Sequence, residues 1–222
     1  MMPFDGSVDS MSNGTLLLSA LAALLYLFAR GRPAGWRRTV IKTGAVALLA
    51  LLAAIEGGPL LLVAALALSA AGDAFLAHEG EKPFLGGLAS FLLAHLAYVA
   101  LFVMAGGGVE IVAVQPWRLA LPVVVVAGAG LLLMRLLPAV QPEMRMPVVA
   151  YVAAILAMMV AAATVPAPIV MVGAALFVAS DAILAVERFL LAEGSRHRAW
   201  TGPAVWVLYY VAQAIIALAF IL

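Results

Sequence analysis

Two aspartates, Asp73 and Asp181, lie inside long apolar stretches and are the side chains of this sequence best placed to do chemistry. Their surroundings are alike, because the decapeptides 68–77 and 176–185 agree at six of ten positions when aligned with an offset of 108. A carboxylate in the middle of a membrane helix costs about 3 kcal/mol even on a lenient scale. A carboxyl pair in such a setting tends to share one proton, so that one member serves as an acid and the other as a base. The pair therefore predicts acid–base chemistry.

Composition limits the class of protein that these aspartates belong to. Of the 222 residues 67% are hydrophobic and 10% are charged, which is typical of a polytopic membrane protein. A net charge of +1 gives no reason to expect nucleic acid as a partner. The sequence has no cysteine, which excludes disulfides and thiolate nucleophiles, and its three histidines are too scattered to predict a metal site.

The elements that must position the aspartates are membrane helices. Charged and Pro/Gly-rich breaks divide the chain into apolar segments of the length that crosses a bilayer. We predict an all-α polytopic membrane bundle of about eight transmembrane helices, in one transmembrane domain over 1–222 with a polar tail over 1–13. The segments are 14–30, 39–55, 59–77, 84–105, 119–137, 146–164, 168–189 and 203–221.

The basic residues predict the orientation of these segments. Eleven of the 12 Lys and Arg residues fall in alternate loops and their flanks, and Arg118 is the exception. The positive-inside rule then places those loops in the cytoplasm and both termini on the extracytoplasmic side, in a bacterial inner membrane. The offset of 108 spans four helices, so the two aspartate helices cross in the same direction. Parallel repeats over 14–110 and 111–222 are one interpretation, and chance matching of Ala- and Leu-rich helices is the other.

Several other polar residues are predicted at a similar depth. Asp73 and Asp181 lie 14 and 13 residues from the starts of their segments, about 20 Å from the outer side. His95 shares a helix face with Tyr98, as Tyr210 does with Gln213. A polar pocket open to the inner leaflet is the simplest interpretation, and the residues that join the aspartates there include Lys42, Tyr151, Tyr210, Gln213 and His95.

Each of these residues has a plainer interpretation. A single Gln or Tyr in a membrane helix often serves only to join helices, and small residues such as Gly72 and Ser180 allow close packing. Lys42 could extend to the interface and leave its charge in water. Two carboxyl groups that the sequence leaves without evident partners are harder to explain by packing, so they favour a functional role.

With these residues placed, the chain resembles the lysoplasmalogenase family, the YhhN-like integral membrane proteins. The resemblance covers nearly the whole chain in order, although Thr43 follows Lys42 where the family often has proline. The matching motifs are Gly72-Asp73-Ala74-Phe75-Leu76, Phe91-x-x-x-His95-x-x-Tyr98, Pro147-x-x-x-Tyr151 with Met158, Ser180-Asp181-Ala182-Ile183-Leu184-Ala185 with Arg188-Phe189, and Tyr209-Tyr210-x-x-Gln213.

The resemblance implies hydrolysis of the vinyl ether bond of a lysophospholipid at the bilayer, giving a fatty aldehyde and a glycerophospho-headgroup. Slow protonation at carbon followed by attack of water needs an acid and a carboxylate, which Asp73 and Asp181 would supply as catalytic residues without metal or organic cofactor. Lys42 and Arg188 would meet the phosphate. The other substrate-binding residues implied are His95, Tyr98, Tyr151, Ser180, Tyr210 and Gln213.

Three other functions stay open at this point. In a proton-coupled transporter, the same aspartates would form a relay, although transporters usually break their helices at the site and the two aspartate segments lack internal proline. Gly72-Asp73 is also found in intramembrane aspartyl proteases, but Ser180-Asp181 does not match their second motif. A lipid-binding scaffold would leave the buried acids unexplained. The sequence predicts no oligomeric state.

Overall fold

A computed structural model describes residues 3–4, 10–31 and 35–222. Every regular element in these residues is a helix, which confirms the predicted all-α class. The helices are α1 (Met11–Ala29), α2 (Trp36–Ile55), α3 (Leu60–Leu76), α4 (Glu81–Ala105), α5 (Gly108–Val114), α6 (Ala120–Leu136), α7 (Pro142–Ala162), α8 (Ile169–Phe189) and α9 (Arg198–Ile221), with a 3-10 turn at Pro116–Leu119 before α6.

The predicted segments all fall on these helices. In the described part of the chain seven helices are long and apolar enough to cross a membrane when the turn at Pro116–Leu119 is counted with α6, and the shorter apolar helix α3 has 17 residues. At 1.5 Å per residue α3 is about 25 Å long, the lower end of what a bilayer requires. The largest shift of a boundary is at α9, which begins at Arg198 rather than at 203. Hydropathy misses polar first turns such as this one, and it also missed the short helix α5.

The predicted polar tail over 1–13 falls partly outside the described residues. Arg32, between the first two predicted segments, also lies outside them. The last three residues of the tail are helical and begin α1. The hydroxyl of Ser10 accepts a hydrogen bond from the backbone N–H of Asn13 at 3.3 Å, which caps the helix.

The chain forms two compact units. The first comprises the residues up to Leu101 together with Ala217–Leu222, and the second comprises Phe102–Ile216. In the first unit α2 packs against both α1 and α3, and in the second unit α6, α7 and α8 pack on one another. The single transmembrane domain and the repeats over 14–110 and 111–222 stay predictions.

Arg118, the exception to the charge pattern, is buried and is bonded mainly by backbone carbonyls. Its guanidinium donates to the carbonyls of Ala163, Val165 and Pro166 at 3.3, 2.7 and 2.9 Å, and its Nε donates to the side chain of Gln115 at 2.8 Å. These carbonyls follow the C-terminal end of α7, where helix N–H groups are no longer available to bond them. Arg118 therefore holds the end of a helix, which explains a basic residue outside the basic loops.

We expect Arg118→Met to lower the free energy of unfolding by about 2–4 kcal/mol, because the carbonyls of Ala163, Val165 and Pro166 would lose a charged donor. The matched control is Arg135→Met, since Arg135 is an exposed residue in the last turn of α6. Unfolding of both purified variants in the same detergent measures the difference. Equal stability of the two variants would contradict the structural role of Arg118.

Candidate functional site

Asp73 lies on α3 and forms a buried ion pair with Lys42 of α2. The Nζ of Lys42 is 3.1 Å from Oδ1 of Asp73, and the two side chains are 11% and 2% exposed. The interpretation that Lys42 extends to the interface is therefore wrong, because its ammonium group turns inward to the carboxylate. Removing one member of such a buried pair leaves an uncompensated charge, so each residue depends on the other.

Two contacts help to position Lys42, one through its ammonium group and one through the helix that carries it. On α1, the ring centroid of Tyr26 lies 6.0 Å from Nζ, within reach of a cation–π interaction. On α2, Arg38 precedes Lys42 by one turn, and its Nη2 donates to the carbonyl of Ala77 at the end of α3, at 3.3 Å. The site thus comprises residues of α1, α2 and α3. The hydrogen bond from Arg38 to the Ala77 carbonyl fixes the register between α2 and α3.

Small residues bring α4 close to α3 next to Asp73, as predicted. A Cβ atom on Gly72 would lie 2.6 and 2.7 Å from two ring atoms of Phe91, and one on Gly87 would lie 2.6 Å from the side chain of Leu76. The carbonyl of Phe91 in turn contacts Nδ1 of His95 at 2.5 Å. Gly72 therefore sets the distance between Asp73 and the helix that carries His95.

We expect Gly72→Ala to destabilise the protein by about 1–3 kcal/mol, because the methyl group overlaps the Phe91 ring in a packed interface. Gly44→Ala on α2 is the matched control, since nothing lies within 4 Å of a Cβ there. Alanine is the better helix former, so that control should be neutral or stabilising. Unfolding of the two variants measures this, and a Gly72→Ala protein as stable as the control would contradict the close approach.

Asp181 lies on α8 and accepts a hydrogen bond from a tyrosine rather than from a cation. The hydroxyl of Tyr151, on α7, donates to Oδ2 of Asp181 at 2.5 Å. The short distance is typical of an O–H bond to a carboxyl oxygen. Tyr151 therefore orients the carboxyl group of Asp181, a role that the sequence analysis did not give it.

The end of α8 that follows Asp181 is held by α9. The guanidinium of Arg198 donates to the carbonyls of Glu187 and Leu191 at 2.8 and 3.0 Å and lies 3.6 Å from the Glu187 carboxylate. The hydroxyl of Thr201 donates to the same carboxylate. These contacts fix the last turn of α8, where the exposed Arg188 lies seven residues after Asp181 and on its helix face.

The remaining predicted residues are divided between the two units. His95 and Tyr98 are fully buried on α4 in the first unit, and Gln213 is fully buried on α9 in the second. Tyr210 stacks on Trp206, with ring centroids 6.2 Å apart and planes 25° apart. That His95, Tyr98, Tyr210 and Gln213 bind the substrate stays a prediction.

The two units place their aspartates in similar local settings. Lys42 and Tyr151 each lie on the helix that precedes the aspartate helix and contact the carboxyl group. The residue before each aspartate faces the following helix, since Gly72 packs on α4 and the Ser180 hydroxyl donates to the Val205 carbonyl of α9 at 3.0 Å. This likeness supports the prediction of an internal repeat, with a cationic partner in one copy and a neutral partner in the other.

Comparison with known proteins assigns the family. The model of the YhhN family matches residues 37–220, which include both aspartates and their partners. The chain belongs to the YhhN family. The resemblance found in the sequence is thereby confirmed.

Two curated relatives of this family member are named "Lysoplasmalogenase", one from Mycobacterium bovis and one from Mycobacterium tuberculosis. Each is 36% identical over 164 residues, which cover 72% of this chain and 59% of the relative. The matched region therefore spans less than two thirds of these relatives. No solved structure matches the chain significantly.

Sequence reasoning missed two residues near the Lys42–Asp73 pair in the first unit, Tyr26 and Arg38. Arg38 precedes Lys42 by four residues, so the spacing of helix neighbours could have found it. Tyr26 carried no such signal, because its contact with Lys42 depends on how α1 packs on α2. In the described ranges no group of three or more His, Asp or Glu side chains is placed to hold a metal ion.

Proposed function

We propose that the protein hydrolyses the vinyl ether bond of lysoplasmalogens to a fatty aldehyde and a glycerophospho-headgroup. The proposal is supported by the name of its relatives, "Lysoplasmalogenase". The observation that carries it is that both aspartates lie in apolar helices and each has a polar partner that fixes its carboxyl group.

The proposed reaction begins with protonation of the vinyl carbon and continues with attack of water on the resulting oxocarbenium ion. The first step needs a protonated acid, and the second needs a carboxylate that stabilises the cation or accepts a proton from water. The ammonium group of Lys42 compensates a negative charge on Asp73, which suits Asp73 to the role of carboxylate. Asp181 would then supply the proton, with the Tyr151 hydroxyl holding its orientation.

The charges at the helix ends suit a single-chain phospholipid. Arg38 lies near the beginning of α2 and Arg188 near the end of α8, and a guanidinium group at such a helix end suits the phosphate of a lipid. Lys42 lies one turn deeper than Arg38, toward Asp73. The hydrocarbon tail would extend further along the apolar helices, so that the vinyl ether would lie between the headgroup and the tail.

We further propose that the protein lies in the bacterial inner membrane with both termini extracytoplasmic, because the basic loops are expected on the cytoplasmic side. A reporter that is active only in the periplasm should be active when fused after Leu222. A reporter that is active only in the cytoplasm should be inactive at the same position, and activity there would contradict the orientation.

The experiment that tests the function compares three lipids with the purified protein. Lysoplasmalogen should release a fatty aldehyde, whereas the saturated 1-alkyl analogue and the 1-acyl lysolipid should release none. Aldehyde from lysoplasmalogen alone would support vinyl ether hydrolysis, and no aldehyde from folded protein would contradict it. The transporter alternative has less support, because α3 and α8 run through their aspartates without an internal proline.

A further inference from the structure

Ser69 carries a buried hydroxyl group that finds no hydrogen-bond partner among the described residues. Its side chain is 0% exposed, and its Oγ has no hydrogen-bond partner in the described part of the chain. A serine in a helix usually bonds a carbonyl of the preceding turn, and buried polar groups are generally satisfied. An unsatisfied buried hydroxyl therefore needs a reason.

The register between α2 and α3 shows which residue of α2 lies opposite Ser69. Arg38 faces Ala77 and Lys42 faces Asp73, so one further turn along the two antiparallel helices Val46 faces Ser69. Val46 is fully buried and offers no polar atom of its side chain. The nearest polar group on the same face of α3 is Asp73, four residues on, and side chains at this spacing are about 5–6 Å apart.

That separation suits one water molecule. A water that bonds both the hydroxyl and the carboxylate lies within about 3 Å of each, and it would be held in an otherwise apolar setting. Ser69 lies deeper than Asp73 when measured from the end of α2 that carries Arg38. A lipid with its phosphate near Arg38 and its tail further along the helices would bring its vinyl ether to this depth.

We infer that Ser69 and Asp73 together hold the water that attacks the oxocarbenium ion, so that Ser69 is a positioning residue of the proposed reaction. The inference rests on the proposed function. The water oxygen forms a bond to the carbon attached to the ether oxygen, the electrons of the C=O⁺ π bond return to that oxygen, and one proton of the water passes to the Asp73 carboxylate. The hemiacetal then breaks its bond to the glycerol oxygen, which takes up a proton as the hemiacetal hydroxyl loses one.

Ser69→Ala tests this role, and Ser19→Ala is the matched control. Ser19 is equally buried in the first unit, but its hydroxyl donates to the Ala45 carbonyl at 2.6 Å. We expect Ser69→Ala to lower kcat by about 10- to 100-fold with KM changed less than about 3-fold. Its unfolding temperature should not fall, because the hydroxyl has no hydrogen-bond partner to lose in the part of the chain that the structure describes. Ser19→Ala should show the opposite, a lower unfolding temperature with kcat unchanged.

The fate of the substrate in D₂O gives a readout that packing alone would not change. In the wild type, water should capture the oxocarbenium ion at once, so unreacted lysoplasmalogen should contain no deuterium. In Ser69→Ala capture should be slow, and the ion should lose a proton and return to substrate carrying deuterium at the vinyl carbon that was protonated. Mass spectrometry of the recovered lipid measures this.

The outcomes separate the two proposals. A wild type that releases no aldehyde would contradict the proposed function itself. If the wild type releases aldehyde, a Ser69→Ala protein with normal kcat, or with low kcat and no deuterium in the recovered substrate, would overturn the water-positioning role. A fall in the unfolding temperature of Ser69→Ala larger than that of Ser19→Ala would also overturn it, because the hydroxyl would then have a structural partner.

Discussion

Asp73→Asn should reduce aldehyde release by at least about 1000-fold, because asparagine keeps the shape of aspartate but can neither carry the negative charge nor accept the proton. The same change leaves the Lys42 ammonium buried without its carboxylate. Removal of one member of a buried pair destabilises a protein by about 3–5 kcal/mol. Loss of activity in this variant alone could therefore come from unfolding.

The double variant Lys42→Met/Asp73→Asn separates chemistry from folding. It removes both charges, so most of the lost stability should return, since replacing both partners of a buried pair is often neutral. Aldehyde release should stay at the level of Asp73→Asn in this folded protein. Unfolding in detergent and aldehyde release measure the two effects, and substantial turnover in the double variant would move the chemistry away from Asp73.

Asp181→Asn should also reduce aldehyde release by at least about 1000-fold, because the amide cannot donate the proton that the vinyl carbon requires. The Tyr151 hydroxyl can still donate to the amide oxygen, so the fold around α7 and α8 should be retained. Tyr151→Phe keeps the acid but removes the group that orients it, and should lower kcat by a smaller factor, about 10- to 100-fold.

Tyr209→Phe is the control for this series. Tyr209 packs edge-on against Phe177 with ring centroids 5.4 Å apart, and phenylalanine preserves that contact. The control should retain wild-type turnover. If Asp181→Asn remained near normal, or if Tyr151→Phe lost as much activity as Asp181→Asn, the assignment of Asp181 as the acid with Tyr151 as its support would be wrong.

The sequence predicted the helices well, because an apolar segment of bilayer length has few alternatives to a helix. It failed where polar residues take part in helix ends. The first turn of α9 begins at Arg198, which bonds carbonyls near the end of α8, and hydropathy gives no sign of that bond. Arg118 is a similar case, since its carbonyl partners lie 45 to 48 residues further along the chain.

Most site residues could be selected from the sequence, but their pairings could not. Lys42 and Asp73 are 31 residues apart, and Tyr151 and Asp181 are 30 apart, so each contact depends on the register between neighbouring helices. Residue type and depth predicted that these side chains would share a layer. They did not indicate that Lys42 would bind the carboxylate rather than the interface, or that Tyr151 would be the partner of Asp181.

The most direct test of the account is the position of solvent hydrogen in the aldehyde formed in D₂O. If the enzyme protonates the vinyl carbon, the aldehyde should carry one deuterium on the carbon next to the carbonyl. The aldehyde is reduced to the alcohol at once, because hydrogens on that carbon would otherwise exchange with the solvent. Mass spectrometry of the alcohol from wild-type turnover of lysoplasmalogen provides the measurement. One deuterium at that carbon is the result we predict, and product without deuterium there would contradict cleavage by carbon protonation.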